Sequence, residues 1–145
     1  MAGSGHGGTI VLAVDLGTTS AKALAFDAGS LTRGGRAVIA ARAEREYPLL
    51  TPEPGAAEQD PELILEAAAG AVREAVNSAG CGPDGVAAVA FSTAMHSLIA
   101  VDADGRALTP ALTWADLRAA GHARRLRASE EAASLPSRTG APLHA

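Results

Sequence analysis

Residues 9–27, TIVLAVDLGTTSAKALAFD, constrain the fold more than any other part of the chain. The apolar run of residues 10–14 predicts a strand buried on both faces, which ends at Asp15. Residues 16–19 predict a tight reversal. Residues 20–26 then alternate, with larger side chains on one face and three alanines on the other, and this pattern is typical of a returning strand. The fold is therefore expected to begin with a β-hairpin.

The turn of this hairpin has the composition of a phosphate-binding segment. Glycine lets a backbone approach an anion closely, amides and hydroxyls donate to phosphate oxygens, and a lysine adds positive charge. Asp15 would repel a bare phosphate, so we expect it to hold a hydrated Mg²⁺ beside the phosphates of a nucleotide, because Mg²⁺ keeps several waters. An ordinary hairpin with a Gly-Thr turn is the alternative. The residues assigned to phosphate and metal binding are Asp15, Gly17, Thr18, Thr19, Ser20 and Lys22.

This segment resembles the first phosphate-binding segment of the ATPase superfamily that contains sugar kinases, heat-shock chaperones and actin. The resemblance implies a ribonuclease H-like α/β domain, with a mixed sheet and flanking helices. It also implies that Asp15 lies near the metal, that residues 17–20 cradle the terminal phosphates, and that ATP and Mg²⁺ are the cofactors.

Composition narrows the class of protein. A chain of 145 residues can form one domain with a real core, and a formal charge of −4 argues against nucleic acid and anionic membranes as partners. The single cysteine, Cys81, excludes an internal disulfide and is expected to be a small buried or loop thiol. Residues 1–8 are expected to be disordered, and no apolar run approaches the roughly 20 residues of a membrane span. We therefore expect a cytoplasmic protein.

The next part of the chain predicts a sheet covered by a helix. Residues 28–35 read as a turn, and residues 36–47 predict a third, half-exposed strand, so the first three strands would form an antiparallel meander. Asp60 is expected to cap a helix with Pro61 at its first position and Gly80 just past its end. An apolar stripe along that helix recurs every three to four residues and indicates a face against the sheet.

The last part of the chain predicts one more central strand and several short elements. Residues 86–91 are apolar throughout and predict a buried strand parallel to the first, because a helix connects the two. The other expected elements are strands at 98–101 and 107–114 around a turn, a helix over 116–127, and a short helix that Ser129 caps and that ends near Pro136.

A second group of polar residues follows that strand at its C-terminal end, where open α/β sheets tend to bind ligands. Met95 can lay an apolar surface against a carbon chain, and His96 can donate to or accept from a sugar hydroxyl. Trp114 offers a flat apolar wall, and Asp116 can accept two hydroxyl hydrogen bonds. The alternatives are core packing for Met95 and Trp114, a backbone hydrogen bond for His96, and helix capping by Asp116.

Three segments, in order, resemble the FGGY family of carbohydrate kinases: the hairpin, EQDP at residues 58–61, and VAFSTAMHSLIAVDADGRALTPALTWADLRAA at residues 89–120. Within that family, STAMHS with TWAD is closer to gluconate kinases than to xylulose kinases, which tend to have Q-M-H-G and W-N-D-G-R. Ala56 departs from the pattern, since relatives usually have Trp or Tyr there. The sugar contacts that the resemblance implies are Met95, His96, Trp114 and Asp116.

The resemblance implies that residues 9–145 form part of an FGGY N-terminal domain. The catalytic base and an adenine-binding second domain would then come after residue 145, and the 145-residue chain alone would be inactive. The expected reaction is ATP-dependent phosphorylation of gluconate to 6-phosphogluconate, with xylulose or another sugar as the alternative substrate. Arg118 is the candidate partner for gluconate's carboxylate. A small-molecule sugar or sugar acid is thus the expected partner, and a homodimer is left open.

Two other classes of function stay open from the residues alone. One is a chaperone- or filament-type ATPase built on the same hairpin, and the Met-His and Trp-x-Asp pairs argue against it. The other is a non-catalytic fragment.

Overall fold

The computed structural model describes residues 8–32 and 36–141, which form two compact units. One unit comprises residues 8–49 and Gln59–Met95, and the other comprises Leu50–Glu58 and residues 96–141. The strands are β1 (Ile10–Leu16), β2 (Ser20–Asp27), β3 (Ile39–Glu46), β4 (Glu58–Gln59), β5 (Val86–Thr93) and β6 (Ala111–Leu112). The α-helices are α1 (Ala28–Thr32), α2 (Pro61–Ser78), α3 (Ala120–Arg127) and α4 (Leu135–Thr139). Apart from Gly8, the expectation of disorder over residues 1–8 lies outside the described residues.

The first unit is built on a four-stranded mixed sheet in the order β3-β2-β1-β5. β1 and β2 pair antiparallel with Asp15 opposite Lys22, β3 pairs antiparallel with β2, and β5 pairs parallel with β1. The hairpin, the meander and the parallel strand are therefore confirmed. β1 does not end at Asp15, however, because the ladder continues through Leu16, whose carbonyl accepts from the Ala94 N–H at 2.9 Å.

The core of this unit lies between the sheet and α2. Most of its members on the second strand and the helix are alanines, with Val76 of α2 as the larger exception: Ala21, Ala23, Ala25, Ala67, Ala71 and Ala75. Alanines on both surfaces bring the helix axis close to the sheet, so little free space remains for a larger side chain. Cys81 is buried in the same core, as expected of a small thiol.

The predicted burial of β1 on both faces is wrong. Ile10, Leu12 and Val14 are buried, whereas Val11 and Ala13 on the opposite face are half-buried. In the part of the chain that the structure describes, α2 packs against β1, β2 and β3 and so covers a single face of these strands.

The predicted central position of β5 is also wrong. It lies at the edge of the described sheet, where Val89 is 46% and Phe91 is 69% exposed. The apolar run correctly indicated a strand, but burial depends on neighbours, and β1 is the only strand of the described residues that pairs with it.

Helix α2 begins and ends where the sequence predicts. The Asp60 carboxylate accepts from the Glu62 N–H at 2.9 Å, Pro61 occupies the first turn, and Gly80 follows the helix with a φ of +69°.

Within residues 8–32 and 36–141, no helix is both long and apolar enough to cross a membrane.

The predicted turn over residues 28–35 is replaced in part by α1. The Asp27 carboxylate accepts from the Gly29 N–H at 2.8 Å, and its carbonyl accepts from the Ser30 hydroxyl at 2.6 Å, so Asp27 caps this short helix. Residues 33–35 lie outside the described residues.

The second unit has less regular structure than predicted. The strands expected at 98–101 and 107–114 are reduced to isolated bridges, Leu98 to Leu112 and Val101 to Ala107, and to β6, which belongs with β4 to a two-stranded sheet. Its helices also differ from expectation, since α3 begins at Ala120 rather than at residue 116. A 3₁₀ turn spans Glu130–Ala133, and Ser129 does not cap it with its side chain. Pro136 lies in the first turn of α4 rather than at a helix end.

Candidate functional site

The turn between β1 and β2 is closed by a backbone hydrogen bond. The Gly17 N–H donates to the Ser20 carbonyl at 3.0 Å. A Cβ atom at Gly17 would lie 3.3 Å from that carbonyl oxygen and 3.9 Å from Asp15 Oδ2. Glycine is therefore favoured here by the crowding of the turn, and the bare backbone is what an approaching ligand would meet.

Three successive carbonyls of the turn accept hydrogen bonds from the rest of the first unit. The Tyr47 hydroxyl donates to the Gly17 carbonyl at 2.6 Å, and Gln59 Nε2 donates to the Thr18 carbonyl at 2.6 Å. The Tyr47 N–H donates to the Thr19 carbonyl at 3.1 Å. The turn is thus held at each of its peptide groups.

Sequence reasoning assigned no site role to Tyr47 or Gln59. Both side chains are buried, at 7% and 5% exposure. The sequence carried one signal for Gln59, since this residue lies in the EQDP segment that resembles the FGGY family. No local pattern indicated Tyr47, whose partner is 30 residues away.

Glu44 on β3 binds two of the residues that were predicted to bind phosphate, Ser20 and Lys22. The Ser20 hydroxyl donates to Glu44 Oε1 at 2.7 Å, and Lys22 Nζ lies 3.4 Å from the same oxygen. The Ser20 hydroxyl, followed by Lys22, holds the pKa of Glu44 below its ordinary value. In this structure the Ser20 hydroxyl and the Lys22 ammonium are thus directed toward β3, so the turn presents its backbone to a phosphate more directly than these two side chains.

Asp15 lies at the end of β1, beside the turn. Burial raises the pKa of Tyr47, and the negative charge of Asp15 raises it further, so the Tyr47 hydroxyl stays protonated and remains a donor to Gly17. The described residues contain no group of three or more His, Cys, Asp or Glu side chains that could hold a metal by themselves. A single carboxylate fits Mg²⁺ that keeps its waters and shares phosphate oxygens with a nucleotide. The residues present therefore fit a phosphate-bound Mg²⁺ held by Asp15 through water.

Asp116, in the second unit, lies between two turns and does not cap α3, which begins at Ala120. Its Oδ2 accepts from the Ala57 N–H at 3.1 Å, its Oδ1 accepts from the Arg118 N–H at 3.0 Å, and both oxygens accept from the Arg118 guanidinium. The guanidinium, helped by both N–H groups, lowers the pKa of Asp116 to about 2. A carboxylate has about four lone-pair sites, so these bonds occupy most of the capacity predicted for sugar hydroxyls.

Arg118 is the centre of an ion-pair cluster. Its guanidinium donates to Asp116 at 2.7 Å, to Glu53 at 3.1 Å and to Glu58. These three carboxylates carry more negative charge than the single guanidinium can neutralise. The structure therefore disfavours Arg118 as the partner of a substrate carboxylate.

His96 has an unusual backbone conformation. Its φ of +60° is the one positive value among the described non-glycine residues. A left-handed conformation costs a non-glycine residue on the order of 1 kcal/mol, and such strain is found preferentially at ligand sites. Met95, which precedes it, is 74% exposed, and Trp114 is 63% exposed. The alternative of core packing is therefore excluded for Met95 and Trp114 within the described part of the chain.

An open depression of about 480 Å³ lies in the second unit. Leu98, Ile99 and Leu112 contribute to its apolar side, and Asp116 and Arg118 contribute to its charged side. Met95, His96 and Trp114 are not among its lining residues, so the structure does not gather the four predicted sugar contacts around this depression.

Residues 10–145 match the family described as the FGGY family of carbohydrate kinases, N-terminal domain. Gluconokinase from Bacillus subtilis is 34% identical over 135 residues, which are 92% of this chain and 24% of that protein.

Two crystal structures from Lactobacillus acidophilus have the same fold. A gluconate kinase and a ligand-bound xylulose kinase each align with a TM-score of 0.80 and 31% identity, over 94% of this chain and 26% of the other. The chain thus spans about a quarter of the length of these relatives. The expected mixed-sheet, ribonuclease H-like fold of the actin and sugar-kinase ATPases is confirmed.

Proposed function

The chain belongs to the FGGY family of carbohydrate kinases, and from this premise we propose that it supplies the phosphate- and sugar-binding part of an ATP-dependent kinase that converts gluconate to 6-phosphogluconate. Asp15 holds Mg²⁺ through water, and the turn of residues 17–19 binds the terminal phosphates of ATP. The family match over residues 10–145 is to carbohydrate kinases, which disfavours a chaperone- or filament-type ATPase.

One observation carries this proposal: the turn is crowded at Gly17 and has every carbonyl from Gly17 to Thr19 bonded within the first unit. A backbone fixed in this way can offer N–H groups to phosphate oxygens without reorganising when the nucleotide binds, and pre-organised donors of this kind stabilise charge in phosphoryl transfer. When bound, Mg²⁺ would neutralise part of the developing charge on the phosphates.

Gluconate is the proposed substrate because gluconate kinases are among the proteins that are similar to this chain in sequence and in structure. B. subtilis gluconokinase is 34% identical, and the L. acidophilus gluconate kinase has a TM-score of 0.80. Xylulose is the second candidate, since the L. acidophilus xylulose kinase aligns equally well. Met95, His96 and Trp114 are the proposed sugar contacts, supported by the exposure of Met95 and Trp114 and by the strained backbone of His96. Asp116 is also proposed as a hydroxyl ligand on the family resemblance, although its bonds to Ala57 and Arg118 already occupy most of its acceptor sites.

The complete gene product should be assayed by ADP release with gluconate, xylulose and glycerol in turn. We expect the highest kcat/KM with gluconate and no turnover after Mg²⁺ is removed by a chelator. Turnover of xylulose without turnover of gluconate would overturn the substrate assignment. A folded protein that transfers phosphate to none of the three would overturn the kinase assignment.

The sugar contacts can be tested in the same assay. His96→Ala and Asp116→Asn are expected to raise the KM for gluconate by about tenfold, the effect of losing one good hydrogen bond, while the KM for Mg·ATP stays unchanged. Asp102→Asn, on a surface turn of the second unit, is the control and should leave both values unchanged.

A further inference from the structure

The geometry points to Tyr47 and Gln59 as positioning residues that set the direction of the Thr18 and Thr19 N–H groups toward the phosphates. This inference rests on the proposed function, because it concerns the ligand that the turn would bind. Neither side chain would touch the nucleotide. Each would act through the carbonyl to which it donates.

The planar peptide group couples the direction of each carbonyl to that of the next N–H. In a trans peptide the C=O of one residue and the N–H of the next point in opposite directions. Donors that fix the Gly17 and Thr18 carbonyls therefore also fix the directions of the Thr18 and Thr19 N–H groups. Tyr47 and Gln59 provide those donors, each at 2.6 Å.

Both donors are themselves held in place by the first unit. Tyr47 is anchored by its own N–H, which donates to the Thr19 carbonyl at 3.1 Å just beyond the ladder that β3 forms with β2. Gln59 directly precedes Asp60, the N-cap residue of α2. Both side chains are buried, so water competes little for these hydrogen bonds. The turn is therefore tied to a strand and to a helix start at the same time.

Closure of the hairpin does not account for these two donors. The Gly17 N–H to Ser20 carbonyl bond already closes the turn. A hairpin does not require a tyrosine 30 residues away and a glutamine 41 residues away to hold two further carbonyls. The buried Tyr47 hydroxyl and Gln59 amide instead determine the direction in which the peptide planes of the turn face. This direction matters for anion binding.

Tyr47→Phe and Gln59→Leu remove one donor each while keeping the size of the side chain. In the complete gene product we expect each variant to raise the KM for Mg·ATP by about tenfold and the double variant by more, with the KM for gluconate within twofold of wild type. Val76→Ala is the matched control, because it loosens the core beside α2 without bonding to the turn, and its KM values should not change.

In the Gln59→Glu variant we expect the KM for Mg·ATP to depend on pH, which would not follow if Gln59 only filled space. A glutamic acid of the same length can donate to the Thr18 carbonyl when it is protonated and cannot when it is ionised. The KM for Mg·ATP of this variant should approach the wild-type value as the pH falls, and Gln59→Leu should show no such recovery.

Hydrogen exchange of the turn measures positioning without any catalytic assay. We expect backbone amides of residues 17–20 to exchange about tenfold faster in Tyr47→Phe and Gln59→Leu than in wild type, and at the wild-type rate in Val76→Ala. Exchange and KM values that match wild type in both variants would overturn the positioning role. An inactive wild-type enzyme whose variants still show faster exchange would overturn the proposed function and leave the positioning role supported.

Discussion

Gly17 shows how a single residue can be required by its surroundings rather than by its own backbone angles. A side chain there would crowd the Ser20 carbonyl at 3.3 Å, whereas nothing lies within 4 Å of a Cβ atom placed on Gly82. The two glycines therefore form a natural pair for comparison.

We expect Gly17→Ala to destabilise the chain by about 1 kcal/mol or more, because a backbone atom has to shift to admit the methyl group. Gly82→Ala should be neutral or slightly stabilising, since its φ of −82° suits alanine. Urea unfolding of both variants measures the difference. Equal urea midpoints for the two variants would show that the turn admits a methyl group at Gly17 without loss of stability.

Asp116 gives the chain a specific response to acid. Its pKa is lowered to about 2, chiefly by the Arg118 guanidinium, so the unfolded chain takes up this proton at a higher pH than the folded chain does. The stability that the carboxylate contributes is fully present above about pH 4 and is lost as the pH falls toward 2.

Asp116→Asn should therefore flatten the fall in urea midpoint between pH 4 and pH 2, although the midpoint at pH 7 will be lower. Asp104→Asn is the control, because the Asp104 carboxylate is 71% exposed and its ion pair with Arg106 contributes little. An acid limb equally steep in wild type and Asp116→Asn would contradict the role of this carboxylate.

At the scale of elements, the start of α2 has two functions. Asp60 caps the helix through the Glu62 N–H, and the preceding residue, Gln59, holds the Thr18 carbonyl of the turn. The position of the helix start thus determines where the Gln59 amide can reach.

Asp60→Ala should cost about 1 kcal/mol of stability, the usual cost of losing an N-cap side chain. Asp60→Asn keeps an acceptor at the cap and should remain close to wild type. Thermal unfolding followed by circular dichroism compares the two variants. Equal losses in both would point to the charge of Asp60 rather than to its hydrogen bond.

At the scale of the whole chain, the described apolar surface is large along β5. Phe91 and Val89 are exposed on the strand at the edge of the described sheet, where an unpaired backbone can also join another strand. In the 145-residue chain, Phe91→Ser should therefore reduce light scattering at high protein concentration at least twofold.

Leu65→Ser is the matched control for that experiment. Leu65 on α2 is 64% exposed but does not lie on a strand edge, so its replacement should leave scattering unchanged. Unchanged scattering in Phe91→Ser would show that β5 does not mediate self-association.

Several features were predictable because their causes are local. The β1–β2 hairpin follows from alternation and a Gly-Thr turn, and the limits of α2 follow from Asp60, Pro61 and Gly80. The edge position of β5 and the pairing of Arg118 with Glu53 and Glu58 were not predictable from local pattern, because each depends on residues distant in sequence.

The sequence by itself determined the family, the strand–turn–strand order and the residues of the turn, since these depend on side-chain type and short-range spacing. Only the tertiary structure decided where the polar groups of those residues point. It directs Ser20 and Lys22 toward Glu44, and it brings Tyr47 and Gln59 to the turn. The physical reason is that a hydrogen bond needs its partners within about 3 Å, and folding alone brings together donors and acceptors 24 to 41 residues apart.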